Sequence, residues 1–256
     1  MSSTYNFYQQ NHNGKQARTA NYKKRVVAYY NIITEPYRRF WGDYFHPAFF
    51  SSFRQTLSQA LEKTHDRFLG DAKLKPHDTA MDLGCGIGSF SCLIAERTQS
   101  EVLGIDFNKL QIKKAKLYAN TRGCSQVSFI NMDIMNIAQL NRKFQAIFLI
   151  DVGCHLPYKE KAVAEIAKLL VPGGRLVIAD WLQKENPNWF EQTLILEPFC
   201  QAWHYPYMES MNGYKNILKA NGLKVITAED VSLKTRKNWG LFYDIAIKQI
   251  RSINYS

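Results

Sequence analysis

The sequence predicts an α/β protein built on a doubly wound parallel sheet, and three observations predict it. Strand-like and helical stretches alternate from residue 75 onward, three glycines at alternate positions follow the first strand, and carboxylates stand at the ends of the next strands. A chain of 256 residues, 46% hydrophobic and 13% aromatic, supplies one large domain with a complete core and leaves little room for two.

Residues 1–25, rich in Asn, Gln, Ser and basic side chains and with no acid before Glu35, are expected to form a flexible basic arm, and residues 26–256 a single domain. Residues 26–74 read as a helical cap. The aromatics crowded between Val26 and Phe53 must be covered, either as core helices or as the wall of an apolar pocket. Leu57, Ala60, Leu61 and Phe68 then fall at helical spacing.

The core at 75–181 runs AMDLG, a helix through Ser91 to Arg97, EVLGID, a helix through Lys109 to Asn120, VSFINMD, a short connector, FQAIFLID, a helix through Glu160 to Leu170, and GRLVIADW. At 182–221 the alternation stops. QKENPNWFEQTLILEPFCQAWHYPYMES is aromatic-rich and mostly helical, a lid over the sheet's edge, followed by a helix near Met211 to Ala220. In the closing segment, 222–256, LKVITAEDVS and LFYDIAIKQI read as an antiparallel strand pair, bringing the count to seven.

Thirty-three basic against 22 acidic residues, a formal +11, favour an anionic partner: nucleic acid, an acidic membrane surface or a phosphorylated small molecule. The five cysteines are widely spaced with neither a C-x-x-C pair nor a zinc spacing, so free thiols in a reducing cytoplasm and no metal are expected. No apolar run approaches the ~20 residues of a membrane span, and the amino terminus lacks a secretory apolar core. A soluble, cytoplasmic protein is the expectation.

Gly84, Gly86 and Gly88 form a turn between strand and helix whose backbone can approach a ligand where a Cβ would collide. Asp106 ends the second strand about 20 residues on, where a carboxylate accepts from both hydroxyls of a ribose. Asp82, beside the turn, disfavours a pyrophosphate and welcomes an ammonium or sulfonium. Asp133, after the third strand, is placed to meet an adenine amino group. The three acids suit a cationic adenosyl ligand better than a dinucleotide, which sets an NAD-dependent dehydrogenase behind.

DLGCGIG, GIDFN, NMD, FLIDVGCH and LVPGGRLVIADW, in order over residues 75–182, resemble the motifs of class I S-adenosylmethionine-dependent methyltransferases. The resemblance implies a Rossmann-like, doubly wound seven-stranded sheet with its last pair antiparallel, and S-adenosyl-L-methionine as cofactor. It implies further that Gly84 and Gly86 pack on the methionine part, Asp106 holds the ribose, Asp133 and the Ile134 backbone read adenine, and Asp151 sits beside the reacting methyl. Phe107 and Gln111 join the cofactor contacts on the same basis.

The amino-terminal YYNIITEPYRRFWGDYFHPAFF is similar to the segment YY-x-x-x-T-x-x-Y-x-x-x-WG of small-molecule methyltransferases of the sterol and tocopherol type and their bacterial prenyl-diphosphate relatives. MESMNGYKNILKANGLKVITAEDVSLKTRKNWG has the shape of that group's closing helix, strand and Trp-containing loop. This similarity implies that Tyr29 contacts the methyl donor and that Tyr30, Tyr37, Phe40 and Trp41 line the acceptor pocket.

The implied reaction is in-line displacement on a sulfonium methyl, most simply C-methylation of an apolar, isoprenoid small molecule. An alkene acceptor needs a base afterwards, and the candidate catalytic residues are Glu197 and His204 in the lid, His155 after the fourth strand, and Tyr30. Arg38 and Arg39, interrupting the aromatics, suit an acceptor with an anionic head such as a prenyl diphosphate; solvated surface charge is the alternative. N- or O-methylation of an amine or phenol remains open, as does a homo-oligomer. RNA methylation is the lesser reading, because no N-P-P-Y or D-P-P-Y type tetrapeptide follows the fourth strand.

Overall fold

Successive side chains of a strand point to opposite faces, and in β1 (Thr79–Leu83) both faces are buried from Ala80 to Leu83, as a strand covered by helices on each side requires. The computed structural model describes residues 15–253. β1 pairs in parallel with β2 (Glu101–Asp106) and β4 (Phe144–Ile150). β3 (Val127–Asn131) and β5 (Leu170–Ala179) extend the sheet to the order β3-β2-β1-β4-β5.

Helices cover each face according to strand parity. Met81, Leu83, Ile147 and Leu149 pack with Ile134 and Ile137 of a 3₁₀ segment (Ile134–Leu140) and with Ile166 of α6 (Lys159–Leu169). Ala80, Ala146 and Phe148 point the other way, onto Phe68 of α3 (Leu57–Ala72) and Phe90, Leu93 and Ile94 of α4 (Ser89–Thr98). α5 (Lys109–Arg122) adds Ile112, Ala115 and Ala119 beside Phe129 on β3. α3 begins with a capping box in which Thr56 and Gln59 satisfy each other's backbone N–H groups.

The cap is one long helix, α2 (Tyr22–Phe40), preceded by a helical turn, α1, at residues 15–20. The expected flexible arm is corrected here. Residues 1–14 lie outside the described residues, but from residue 15 the chain is helical, and Arg18 is buried because its guanidinium reaches Glu197 (2.5 Å) and the Pro206 carbonyl.

After β5, Leu182–Gln183 (β6) and Glu209–Ser210 (β7) form a short parallel ladder that ties off the expected lid. Between them α7 (Trp189–Glu191) continues through a π-helical turn into α8 (Glu197–Ala202), and α9 (Met211–Ala220) follows. The expected closing strand pair is also corrected, for no strand forms past Ser210 among the described residues. LKVITAEDVS is irregular, and LFYDIAIKQI lies within α10 (Ser232–Ile253). Helical spacing brings Asn238 onto the Ala48 backbone, which it clamps at N–H and carbonyl, and stacks Phe242 on Trp41 at 4.3 Å. No helix among the described residues is long and apolar enough to cross a membrane.

Candidate active site

β1 and β4 are neighbours whose following helices leave on opposite faces, so their carboxyl ends diverge and open a crevice at the topological switch point. A cleft of about 960 Å³ occupies it. Gly84 and Gly86 line its floor, both with positive φ. A Cβ on Gly84 would collide with Val152 Cγ2, whereas one on Gly86 meets nothing within 4 Å and would point into open space. Gly84 is therefore required by packing, and Gly86 by its φ of 53° and the room it leaves.

Asp106 ends β2 at the cleft's edge and accepts from the Gly86 N–H (3.2 Å) and the Asn108 N–H (2.7 Å). Burial pushes its carboxyl up to about 6 despite these donors. Asp82 lies deeper and accepts from Ser91 Oγ at 2.6 Å; burial first, and Asp106 second, raise it to about 7. Gln111 donates to Thr34 Oγ1 at 2.6 Å, while its Oε1 is buried without a partner at the cleft wall. Phe107, Ile134 and Asp151 complete the expected residues that line it. Two carboxylates, an unused acceptor and a side-chain-free turn fit a polyhydroxylated, cationic ligand such as an adenosyl sulfonium.

A second cavity of about 510 Å³ adjoins the first, and Tyr30, Phe45, Asp151 and His155 line both. The rest of its wall is mostly aromatic, from Tyr29 and Tyr37 on α2, Trp181, Trp203 and Tyr205 around the lid, and Trp239 and Phe242 on α10. At the junction, Tyr30 Oη and His155 Nε2 lie 3.1 Å apart. Burial holds the imidazole neutral, its pKa lowered to about 3, and leaves Nδ1 without a partner. Asp151 has φ 57°, and burial, with Asp180 next in effect, raises its carboxyl to about 7.

Asp151, Cys154 and Asp180 present ligand-type atoms within 4.8 Å of one another. Hydrogen bonds account for this cluster, because Asp180 accepts from the Cys154 and Trp181 N–H groups and from Tyr214 Oη.

Several expected site residues lie elsewhere. Asp133 does not line the cleft: its carboxylate caps the 3₁₀ segment through the Met135 N–H (3.0 Å) and pairs with Lys23. Tyr29 lines the second cavity rather than the cleft. Phe40, Trp41, Arg38 and Arg39 line neither; Arg38 is held by Asp43 (2.9 Å), and Arg39 lies over the Phe40 ring. Glu197 is bound to Arg18, and His204 Nδ1 accepts from the Arg25 guanidinium while its ring packs on Tyr29, so neither lid residue reaches a cavity wall.

Tyr44 and Phe45, covered by the sequence reading only among the crowded aromatics, and Asp43 and His46, which it passed over, fold back over the cleft after Gly42 (φ 104°) and anchor to Ser89, whose Oγ donates to the Asp43 carbonyl at 2.7 Å. The Gly immediately after Trp41 was the available signal. His46 Nδ1 faces the Pro47 carbonyl (3.1 Å), which makes it the donor nitrogen, so His46 Nε2 accepts from His65 Nε2 at 3.2 Å.

The family profile described as Methyltransferase domain matches residues 74–230. The chain belongs to that methyltransferase-domain family. The match spans every strand of the sheet, the glycine turn and both acids at the cleft floor. Among curated relatives, the sterol 24-C-methyltransferase of Saccharomyces cerevisiae is 31% identical over 223 residues, 85% of this chain and 57% of that protein. The chloroplastic tocopherol O-methyltransferase of Arabidopsis thaliana is 27% identical over 237 residues, 85% of this chain and 68% of that one. A cyclopropane synthase of Mycobacterium tuberculosis shares the fold, with a TM-score of 0.76 at 17% identity over 86% of this chain and 81% of that chain. This methyltransferase domain thus spans a little over half the length of the yeast relative it matches.

Proposed function

We propose that the chain transfers the methyl group of S-adenosyl-L-methionine to a carbon of an apolar small molecule bearing an isoprenoid alkene. The observation that carries this is the junction of the two cavities at Tyr30, Phe45, Asp151 and His155, where an acceptor in the aromatic cavity faces a donor in the glycine-floored cleft. The donor supplies an electrophilic methyl on a sulfonium. Gly86 leaves room for its amino-acid part, Asp82 balances the ammonium, Asp106 accepts from the ribose hydroxyls, and the unpartnered Gln111 Oε1 accepts a further donor.

Methylating an alkene leaves a carbocation. The aromatic faces around the second cavity stabilise such a charge by about 0.5–2 kcal/mol each, and they exclude the water that would quench it. The proton must then leave, and Asp151, poised near neutrality at the junction, takes it on its carboxylate; the Tyr30–His155 pair fixes the wall opposite. Among the described residues, no Lys or Arg lines the second cavity. The acceptor read here is therefore neutral, and the diphosphate head suggested by Arg38 and Arg39 has no support from their placement.

The sterol 24-C-methyltransferase relative supports carbon as the methylated atom. The tocopherol O-methyltransferase relative favours a second reading, in which Asp151 deprotonates a phenol. Methyl-labelled donor incubated with side-chain-unsaturated sterols, prenylated phenols, prenyl diphosphates and transfer RNA distinguishes them. Label in a carbon of a neutral alkene is expected; label only on phenolic oxygen selects the second reading, and label in RNA alone overturns both.

A further inference from the structure

Asp180 follows the last residue of β5 and lines neither cavity, yet it holds the turn that lines both. Its Oδ1 accepts from the Cys154 N–H and the Trp181 N–H, each at 2.9 Å, and its Oδ2 accepts from Tyr214 Oη of α9 at 2.5 Å. Gly153 lies so close to this pair that a Cβ there would collide with both Tyr214 Oη and Asp180 Oδ2. The turn from Asp151 to His155 is therefore held three times over: the Asp151 N–H donates to the Ala179 carbonyl (2.7 Å), the Cys154 N–H donates to Asp180, and Gly153 rests on the Tyr214 hydroxyl.

Charge gives the same carboxylate a second effect. Burial disfavours its ionised form, and Lys159 first, then Tyr214 and the Trp181 N–H, oppose that. Lys159 is itself buried, its Nζ donating to the Leu156 and Tyr207 carbonyls. Around Asp151 stand Tyr29, Tyr30 and Tyr37 of α2, Cys154 and His155 of its own turn, and Tyr205 of the lid. Burial keeps each of these neutral near pH 7, so the charge that Asp151 meets is that of Asp180. Two neighbouring carboxyls in unlike surroundings divide their roles: Asp180, with three donors, carries the charge, and Asp151 is left to accept a proton.

We propose that Asp180 is a positioning residue for the methyl transfer, clamping the Asp151–His155 turn to α9 and setting a fixed negative charge behind the Asp151 carboxylate. It touches neither the donor cleft nor the acceptor cavity and acts through Asp151, which would be a weaker base without it. The inference rests on Asp151 as the proton acceptor of the reaction proposed above.

Carboxyl NMR of the full chain carrying isotope-labelled aspartate tests it, with the Asp151 resonance assigned by its loss in Asp151→Asn. Asp180→Asn keeps an acceptor for the two N–H groups and drops the charge. In that variant the titration midpoint of Asp151 should fall by about one pH unit, with affinity for S-adenosylhomocysteine, a measure of the intact fold, unchanged. The acid limb of kcat for methyl transfer to a side-chain-unsaturated sterol should move down with it, a displacement that loosened packing alone does not produce. If the variant loses that affinity, Tyr214→Phe decides instead: it frees one corner of the clamp, and amide exchange at Cys154 and His155 should quicken about tenfold. An unmoved or raised midpoint in folded Asp180→Asn, or unchanged exchange in Tyr214→Phe, overturns the inference. The titration needs no acceptor, so a midpoint that falls in a chain that methylates none of the acceptors supports the coupling and overturns the function proposed above instead.

Discussion

The Tyr30 phenol oxygen and His155 Nε2, 125 residues apart in the chain, lie 3.1 Å from each other where the two cavities meet. The contact joins the amino-terminal helix to the turn after β4, so cap and sheet together complete a site that neither holds alone.

His155→Ala should lower kcat about a hundredfold, because the wall that positions the acceptor against the methyl donor loses its hold. Tyr30→Phe should lower it less, because the ring that walls the junction remains. Acting as one unit, the pair should show a double-variant loss well short of the product of the single losses in steady-state kinetics.

The two glycines should separate packing from strain. Gly84→Ala drives a Cβ into Val152 and should unfold the turn, abolishing S-adenosylhomocysteine binding in calorimetry. Gly86→Ala faces open space and should cost about 1–2 kcal/mol of stability for its left-handed backbone, leaving a folded protein with weakened donor binding. Equal damage from both would contradict the geometry.

Asp151→Asn should stabilise the ligand-free chain at pH 8. The folded-state pKa is raised to about 7, so the folded state holds a proton that the unfolded state has released between about pH 4 and 7, and this group's contribution falls as pH rises through that window. Asn keeps the left-handed backbone and removes the charge. A gain on the order of 2 kcal/mol at pH 8, shrinking towards pH 5, is expected in thermal denaturation, together with a large loss of kcat.

Trp203→Ala should raise the acceptor's KM about tenfold through loss of one aromatic face, leaving donor affinity unchanged. By contrast the double variant Arg38→Ala, Arg39→Ala should keep acceptor KM within about twofold, since both residues are engaged at the surface. A marked KM increase for a diphosphate acceptor in the double variant would restore the anionic-head reading.

Arg18→Ala should lower stability by about 3 kcal/mol, because it strands the Glu197 carboxylate and the Pro206 carbonyl that the buried guanidinium satisfies. Chemical denaturation measures this. The donor cleft, which Arg18 does not line, should retain its affinity.

By itself the sequence determined the sheet, the glycine turn and the acids at strand ends. These are local features: continuous buried apolar runs such as EVLGID, the turn that Gly84 and Gly86 permit, and Asp106 carried to the cleft by the end of its strand. Tertiary structure decided whatever depends on a distant partner. LFYDIAIKQI suits a strand by its alternation, yet Asn238 clamped on Ala48 and Phe242 stacked on Trp41 make it part of a helix. Asp133 has the right position in its motif, but Lys23 and the Met135 N–H occupy its carboxylate. Glu197 carries a carboxylate among apolar residues in the sequence, and the fold brings Arg18 to it across 179 residues. A charge among apolar residues must find a partner, and only the folded chain determines whether that partner is a substrate or another part of itself.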